Sequence, residues 1–126
     1  MTAGKHSLYK RLGGYDVIAA VIDDMFTAMR ADPAFARFGA GRSIDSHHRA
    51  RQLLVDQMCQ LSGGPCVYIG RDMKTSHTGL GITAAEWAGN MKHAEAALMD
   101  NDVPAAERAE FLGLFEHHRD EIVESS

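Results

Sequence analysis

Helical periodicity is the feature that most constrains this chain, because apolar residues recur at intervals of three and four residues along nearly its whole length. Between residues 15 and 30 this stripe consists of Ile18, Val21, Ile22, Met25 and Met29. Residues 65–71, PCVYIGR, have strand character, but the run is too short and isolated to build a sheet. We predict an ordered loop there, with Tyr68 packed inward. The pattern therefore predicts an all-α protein in which helix packs on helix.

Capping and turn residues divide the first half of this pattern into separate helices. Ser7 is placed to cap a short first helix, and Asp32-Pro33 ends the second helix and opens a short turn. After a corner at residues 39–41, Ser43 or Asp45 is placed to cap a long third helix.

The second half contains one short helix and two long ones. Residues 72–77 predict one or two helical turns. Thr83 then begins a helix with Glu86 three residues on, which is the spacing of a capping box. Val103-Pro104 opens the last helix, which is predicted to continue through His118 to Ile122. The total is four substantial helices and three short ones.

Length and charge limit the classes of function. The 126 residues are expected to form one domain, residues 1–126, with a core from about residue 7 to residue 123. The formal net charge is −4 and Lys and Arg are scattered, which argues against a nucleic-acid partner. No apolar run is long enough to cross a membrane, and the N-terminal MTAGKHSLYK lacks the apolar core of a secretion signal. We therefore predict a cytoplasmic protein with no membrane partner.

The cysteines and histidines do not form a pattern for a site with several metal ligands. Cys59 and Cys66 lie seven residues apart, which fits no zinc or redox motif, and we predict reduced thiols that are buried or half-buried. Four of the seven histidines form the adjacent pairs His47-His48 and His117-His118. Neighbours on a helix point about 100° apart, so each pair supplies at most one ligand to a given site. No Glu-x-x-His pair is present to build a di-iron site.

His77 has an unusual position, within the segment DMKTSHTGLGIT at residues 72–83. Gly79 and Gly81 follow so closely that the short helix carrying His77 is expected to stop there. The ring would then project from a helix end, which suits a side chain that holds a ligand. A surface or capping histidine is the alternative interpretation.

Three segments in this order, SLYKRLGG from Ser7, SGGPCVYIGRDM from Ser62 and SHTGLGIT from Ser76, resemble the truncated haemoglobins, most closely those of group I. The resemblance covers nearly the whole chain. It implies a truncated globin fold, a two-on-two helical sandwich of crossed antiparallel helix pairs that encloses haem b (iron protoporphyrin IX). His77 matches the family's proximal histidine, so the resemblance assigns it as the axial ligand of the haem iron, a role that suits neutral imidazole.

The resemblance and the position of His77 together suggest contacts around the cofactor. Arg71 and Lys74 are placed to pair with the haem propionates, with solvated loop charges as the alternative. Apolar residues near His77 are expected to wall the proximal side: Met73, Leu80, Ile82, Trp87 and Met91. Further haem contacts are expected from Phe26, Phe38, Leu54, Met58 and Tyr68.

The distal side departs from the family pattern. Group I members often carry a tyrosine and a glutamine there, and the matching residues in this chain are Phe26 and Leu54. The family also has a phenylalanine pair at the corner after its helix C, which appears here as Phe38-Gly39, so only one ring remains. An apolar distal pocket would leave O₂, which carries partial negative charge when bound, without a hydrogen-bond donor, and its dissociation rate would rise.

A different helix register gives a different distal pocket. If the register of the long third helix is shifted by about one turn, His47, His48 or Gln57 enters the pocket. His47 lies on the same stripe as Leu54, and it would then bind the iron when no gas is present. A histidine at a solvent boundary near the start of the helix is the alternative interpretation of His47.

The resemblance implies a haem protein that binds O₂, NO or CO reversibly, in oxygen binding, oxygen transport, sensing or NO detoxification. An NO dioxygenase activity would need an external reductase, because this chain contains no reductase domain. A second hypothesis belongs to another class: a helical interaction or sensor domain that keeps the globin fold with little or no role as a gas carrier. His77 and the apolar residues around it favour the haem protein.

Overall fold

The computed structural model describes residues 6–39 and 44–124. Within these ranges every regular element is helical and no strand is formed, which confirms the predicted all-α class. The elements are α1 (Leu8–Leu12), α2 (Tyr15–Ala31), a 3₁₀ turn (Pro33–Phe35), α3 (Ala36–Gly39), α4 (Ile44–Leu61), α5 (Met73–His77), α6 (Ala84–Asp100), α7 (Ala105–Glu116) and α8 (Arg119–Ile122).

The predicted cap begins the first helix. Ser7 Oγ accepts a hydrogen bond from the Lys10 backbone N–H at 3.3 Å. Gly13 ends α1 with a φ of 108°, a backbone conformation that would strain a residue with a side chain. The Tyr9 hydroxyl then accepts a hydrogen bond from the Tyr15 backbone N–H at 3.1 Å, so the end of α1 is fixed to the start of α2.

The caps of the second half also follow the sequence. The Asp72 carboxylate accepts a hydrogen bond from the Thr75 N–H at 2.8 Å and begins α5. Thr83 Oγ1 accepts from the Glu86 N–H at 3.0 Å, and the Glu86 carboxylate accepts from the Thr83 N–H at 2.9 Å. The predicted capping box of α6 is therefore confirmed.

Helix α2 is the centre of the packing. It lies against both α4 and α6, and α6 packs against α7, so the α2–α4 pair crosses the α6–α7 pair. The stripe read from the sequence faces this contact, since Ile18, Ile22 and Met25 are almost completely buried. The opposing helices contribute Val55, Met58, Ala94, Leu98 and Phe111 to the same core. Burial of this apolar surface is the main source of stability for such a fold.

The last helix departs from the prediction, because it is interrupted after Glu116. The backbone at His118 leaves the helical region, with φ −101° and ψ 4°, and its N–H bonds to the Phe115 carbonyl three residues back. A new short helix, α8, then begins at Arg119. The turn after Asp32 is likewise divided into a 3₁₀ turn and α3, so five short elements are present in the described part of the chain.

The corner between α3 and α4 is described only in part. Residues 40–43, including the Ser43 proposed as a cap, lie outside the described residues. Helix α4 begins at Ile44, so Asp45 lies inside the helix and the prediction that Asp45 caps it is wrong.

The prediction of free thiols is wrong, because Cys59 and Cys66 form a disulfide in the structure. Cys59 is buried on α4, and the turn at Gly63-Gly64 returns the chain so that the two Cα atoms are 5.7 Å apart. A Cβ on Gly64 would lie only 2.7 Å from the Cys59 sulfur, so the return path fits only glycine. The sequence spacing of seven could not indicate this approach, since it depends on the direction of the turn.

The segment after the disulfide is the predicted loop without strand structure. Tyr68 is half-buried, its backbone N–H bonds to the Gln60 side chain at 2.6 Å, and its hydroxyl donates to the Arg71 carbonyl. Burial raises the pKa of the Tyr68 hydroxyl.

Among the helices of the described ranges, none has the length and apolar character needed to span a membrane.

Candidate functional site

A cavity of about 720 Å³ lies between the two helix pairs. Helices α2, α4 and α6 contribute much of its walls, and further lining residues come from the 3₁₀ turn and α3, from the segment around α5, and from α7 and α8. Most of the lining side chains are apolar, and the volume is within the range of pockets that hold a small organic molecule.

Eleven of the fourteen residues predicted at the site line this cavity. They are Phe26, Phe38, Leu54, Met58, Tyr68, Arg71, Met73, His77, Leu80, Ile82 and Trp87. The other three, His47, Lys74 and Met91, are not among the lining residues. His47 is half-buried near the start of α4, and His48 is exposed. The register of α4 instead directs Ala50, Leu53, Leu54 and Gln57 to the cavity.

Several lining residues were not predicted from the sequence. Some extend stripes that were already recognised: Met25, Met29, Leu53 and Leu61. Others belong to the far end of the chain and reach the cavity only through tertiary packing: Leu114, Phe115, His118 and Ile122. Polar residues form a third group: Arg37, Ser46, Arg49, Ser76, Glu86 and Asn90. For Glu86 the available signal was the capping box that begins α6, and the sequence offered no such signal for Asn90.

His77 is held in an orientation that leaves one ring nitrogen available. Its Nδ1 lies 2.8 Å from the Met73 carbonyl oxygen and 2.9 Å from Ser76 Oγ. A carbonyl oxygen can only accept a hydrogen bond, so this contact requires the proton on Nδ1. The lone pair is then on Nε2, which has no partner among the described residues and suits a metal ligand.

The end of the chain fixes the turn that follows His77. The Glu124 carboxylate accepts hydrogen bonds from the backbone N–H groups of Gly79 at 3.1 Å and Gly81 at 2.8 Å. The Glu124 N–H donates to the Ile82 carbonyl at 2.8 Å. Both glycines have positive φ, 88° and 64°, which turns their N–H groups toward one acceptor. These bonds lower the pKa of Glu124.

Arg37 fixes the other side of the same turn. Its guanidinium donates to the carbonyl oxygens of Leu80 at 2.9 Å and Gly81 at 3.2 Å, and to both carboxylate oxygens of Glu86 at 2.8 and 3.0 Å. The bidentate pair joins α3 to the first turn of α6. The hydrogen bonds from Arg37, with the one from the Thr83 N–H, lower the pKa of Glu86 to about 2.

The wall formed by α2 and α4 is apolar near its centre. Phe26 and Leu54 line it, and neither side chain has a hydrogen-bonding group. Gln57, one of the alternatives for a polar distal residue, also lines the cavity, but its amide nitrogen lies 3.4 Å from the Met73 sulfur as a weak donor. Over residues 6–39 and 44–124, no three His, Cys, Asp or Glu side chains come together at a spacing that would hold a metal ion.

Crossed helix pairs around an apolar cavity, with one histidine presented from a short helix, define a globin. Residues 7–124 match the family model described as bacterial-like globin. A group 1 truncated haemoglobin GlbN from Mycolicibacterium paratuberculosis is 30% identical over 107 residues, which are 85% of this chain and 76% of that protein. The group 1 truncated haemoglobin of Tetrahymena pyriformis is 25% identical over 117 residues, 93% of this chain and 94% of that protein.

Solved structures agree with this fold. The truncated haemoglobin of Tetrahymena pyriformis in its Fe(III) form superposes with a TM-score of 0.84 at 24% identity, over 94% of this chain and 98% of that one. The 2/2 haemoglobin of a Synechococcus species, solved in the cyanomet state with covalently attached haem, gives 0.79 at 22% identity over 93% and 98%. The chain belongs to the bacterial-like globin family, among the truncated haemoglobins. Membership of this family implies haem and, at its iron, a small gas.

Proposed function

We propose that this chain holds haem b in the cavity, with His77 as the axial ligand, and binds a diatomic gas, O₂, NO or CO, reversibly. The observation that carries the proposal is the His77 imidazole, with Nδ1 at the Met73 carbonyl and Nε2 free at an apolar cavity. Haem would supply an iron that His77 can hold as the single protein ligand and that can still bind a gas.

The residues around the cavity fit a flat apolar group with two anionic substituents. The apolar lining excludes water from the gas site, while Arg49 and Arg71 are exposed lining residues with no ion pair among the described residues. We expect these two guanidinium groups to pair with the propionates. Lys74, the other residue predicted for this role, does not line the cavity.

Haem b is the form favoured by the state of the cysteines. Attachment of haem through thioether bonds needs free cysteine thiols, usually in a Cys-x-x-Cys-His motif. This chain has two cysteines, and they are joined to each other in the disulfide. The chain therefore offers no free thiol for that attachment.

A five-coordinate resting iron is the state that the cavity supports. His47, which was considered as a second axial ligand, is not among the lining residues, although its neighbour Ser46 and the following Arg49 and Ala50 are. Phe26 and Leu54 keep the wall formed by α2 and α4 apolar. We therefore expect the ferrous protein to be high-spin before gas is added.

The test is an absorption spectrum of the purified protein in the ferric, ferrous and ferrous-CO forms, compared with the same spectra of His77→Ala. The wild type should give a haem spectrum that changes on addition of CO. His77→Ala should lose haem or show an altered ferrous spectrum. Imidazole added to His77→Gly should restore the wild-type ferrous spectrum, since it supplies the missing ligand.

His48→Ala is the matched control, because His48 is exposed and does not line the cavity. It should retain all three wild-type spectra. If the wild type takes up no haem, the chain is a helical interaction domain instead. If His77→Ala matches the wild type in every state, another residue is the ligand.

A further inference from the structure

Asn90 carries a buried polar atom without a partner, at the wall of the cavity. Its side chain lines the cavity, and its Oδ1 is the one buried side-chain nitrogen or oxygen in residues 6–39 and 44–124 that has no hydrogen bond. Buried polar atoms are nearly always hydrogen-bonded, because an unpaired one destabilises the fold. An exception at the edge of a ligand cavity indicates that its partner is the ligand.

The position of Asn90 on α6 separates it from His77. It lies six residues beyond Ala84, the first residue of α6, which is about 9 Å along the helix axis at the usual rise. Ala94 and Ala97, one and two turns further on the same stripe, are buried on the helix that packs against α2. Asn90 is therefore on the stripe of α6 that continues into the core shared with α2, further along the helix than the turn at residues 79–82 that follows His77.

Apart from His77 and the two arginines expected to pair with the propionates, several polar groups of the cavity are already engaged. Arg37 and Glu86 bond to each other, Ser76 bonds to the His77 segment, and His118 bonds to Glu121 at 2.8 Å. The other carboxamide, Gln57, is directed to the Met73 sulfur. Asn90 thus has an uncommitted carboxamide at the cavity wall.

We propose that the Asn90 carboxamide is the distal hydrogen-bond donor for gas held in the cavity, and that it takes the place of the hydroxyl that Phe26 lacks. This inference rests on the proposed function. A half-turn of the carboxamide exchanges its oxygen for its NH₂ group with little change of shape, so the same side chain can present a donor. O₂ develops partial negative charge when it binds and accepts such a bond, whereas CO is less polar, so Asn90 favours O₂ over CO.

The experiment compares wild type, Asn90→Leu and Asn90→Ala in the haem-loaded protein. The O₂ dissociation rate, measured by stopped flow, should rise about fivefold in both variants, the equivalent of one hydrogen bond of about 1 kcal/mol. The CO dissociation rate should change less than twofold. An effect of side-chain shape alone would change the dissociation rates of O₂ and CO alike, and it would differ in direction between Asn90→Leu and Asn90→Ala. Equal rises of the O₂ and CO dissociation rates in the variants would therefore overturn the proposal.

Infrared absorption of bound CO gives a second readout that does not depend on gas release. A donor directed at the CO oxygen weakens the C–O bond, so its stretching frequency should be higher in both Asn90 variants than in wild type. Asn90→Gln keeps the NH₂ group and should shift the frequency less than Asn90→Leu. An unchanged frequency and an unchanged O₂ rate in both variants would contradict the role of Asn90.

Gln52→Leu is the matched control, because it removes an exposed carboxamide that does not line the cavity. Its O₂ dissociation rate and CO frequency should stay at the wild-type values. Gln57→Leu removes the other carboxamide of the cavity, which is engaged with Met73. If Gln57→Leu changes both while the Asn90 variants do not, Gln57 is the donor and the inference is wrong. Failure of the wild type itself to bind haem or gas would instead overturn the proposed function.

Discussion

At the scale of single residues, Phe26 determines whether helix α2 offers a hydrogen-bond donor to a gas in the cavity. Phe26→Tyr adds one hydroxyl to the apolar wall with little change in shape. We expect the O₂ dissociation rate to fall about fivefold, because a new hydrogen bond stabilises bound O₂ by about 1 kcal/mol. Stopped-flow displacement of O₂ measures this rate. Phe26→Leu, which removes the ring and adds no donor, should not slow O₂ release, and slowing in both variants would point to a steric cause.

The residues that sequence patterns located are those whose role depends on local spacing. His77 could be placed at a helix end because Gly79 and Gly81 follow it closely, and the capping box of Thr83 and Glu86 is visible in four consecutive residues. Asn90 was not identified, because a polar residue on a helical stripe has the same pattern whether it reaches a cavity or solvent.

At the scale of elements, the short helix α5 depends on the end of the chain. Glu124→Ala removes the carboxylate that accepts from Gly79 and Gly81. We expect haem to dissociate about tenfold faster, since hydrogen bonds worth about 1.4 kcal/mol in total no longer fix the turn after His77. Transfer of haem to a high-affinity apoglobin measures the rate. Asp120→Ala, which alters an exposed carboxylate nearby in the sequence, is the control, and equal rates in the two variants would show that the turn is fixed by other contacts.

The disulfide acts on the loop that connects α4 to α5. It closes a short loop, since Cys59 and Cys66 are seven positions apart in the sequence, and loop closure of this size stabilises a fold by about 2 kcal/mol. We expect dithiothreitol to lower the free energy of unfolding by about that amount in a denaturant titration. The double variant Cys59→Ala/Cys66→Ala should not respond to the reductant. A similar response in both proteins would mean that the reductant acts elsewhere.

Element boundaries could be predicted where the stop or start signal lies in the adjacent residues. The caps at Ser7, Asp72 and Thr83 meet this condition. The interruption between α7 and α8 does not, because Phe115, His118 and Ile122 continue the helical stripe through it. A helical stripe predicts which residues face inward. It cannot reveal a break in the helix after which the same residues still face inward.

At the scale of the whole molecule, acid sensitivity should be concentrated in a few carboxyl groups. The pKa is lowered in several carboxylates that accept hydrogen bonds: Asp23, Asp32, Asp72, Glu86, Glu110 and Glu124. A carboxyl group with a lowered folded-state pKa stabilises the fold above its ordinary pKa, and that contribution is lost as the pH falls through the folded-state value. For Glu86 the window runs from its ordinary 4.5 down to about 2.

Glu86→Gln isolates the contribution of the Arg37–Glu86 pair to this acid sensitivity. The pair joins two residues that are 49 positions apart in the sequence. Across pH 4.5 to 2, the free energy of unfolding of the wild type should fall more steeply than that of Glu86→Gln. The reason is that the Glu86 carboxyl group takes up a proton on unfolding in this range, and a glutamine does not. Denaturant titrations at several pH values measure the two slopes. Glu95→Gln, at an exposed carboxyl group with no hydrogen bond in the described part of the chain, should retain the wild-type slope. Identical slopes in all three proteins would contradict the role given to the pair.

More of the overall fold than of the cavity lining could be predicted from the sequence. Stripes such as Ile18, Ile22 and Met25 and the glycine-rich stops between helices fix which faces pack together, and that is sufficient for the class. The cavity also needs residues brought from the distant end of the chain, such as Phe115 and Ile122. Their contacts depend on the crossing of the helix pairs, which no local pattern records.

The attachment of Glu124 to the turn after His77 has a consequence for biosynthesis. A ribosome that has translated the short helix must add another 45 residues after Gly79 before Glu124 exists. Until then the nascent chain has His77, the proposed iron ligand, without the carboxylate that fixes the following turn. If His77 holds haem as proposed, a nascent chain that has passed His77 but lacks Glu124 should lose the cofactor faster than a chain that includes Glu124.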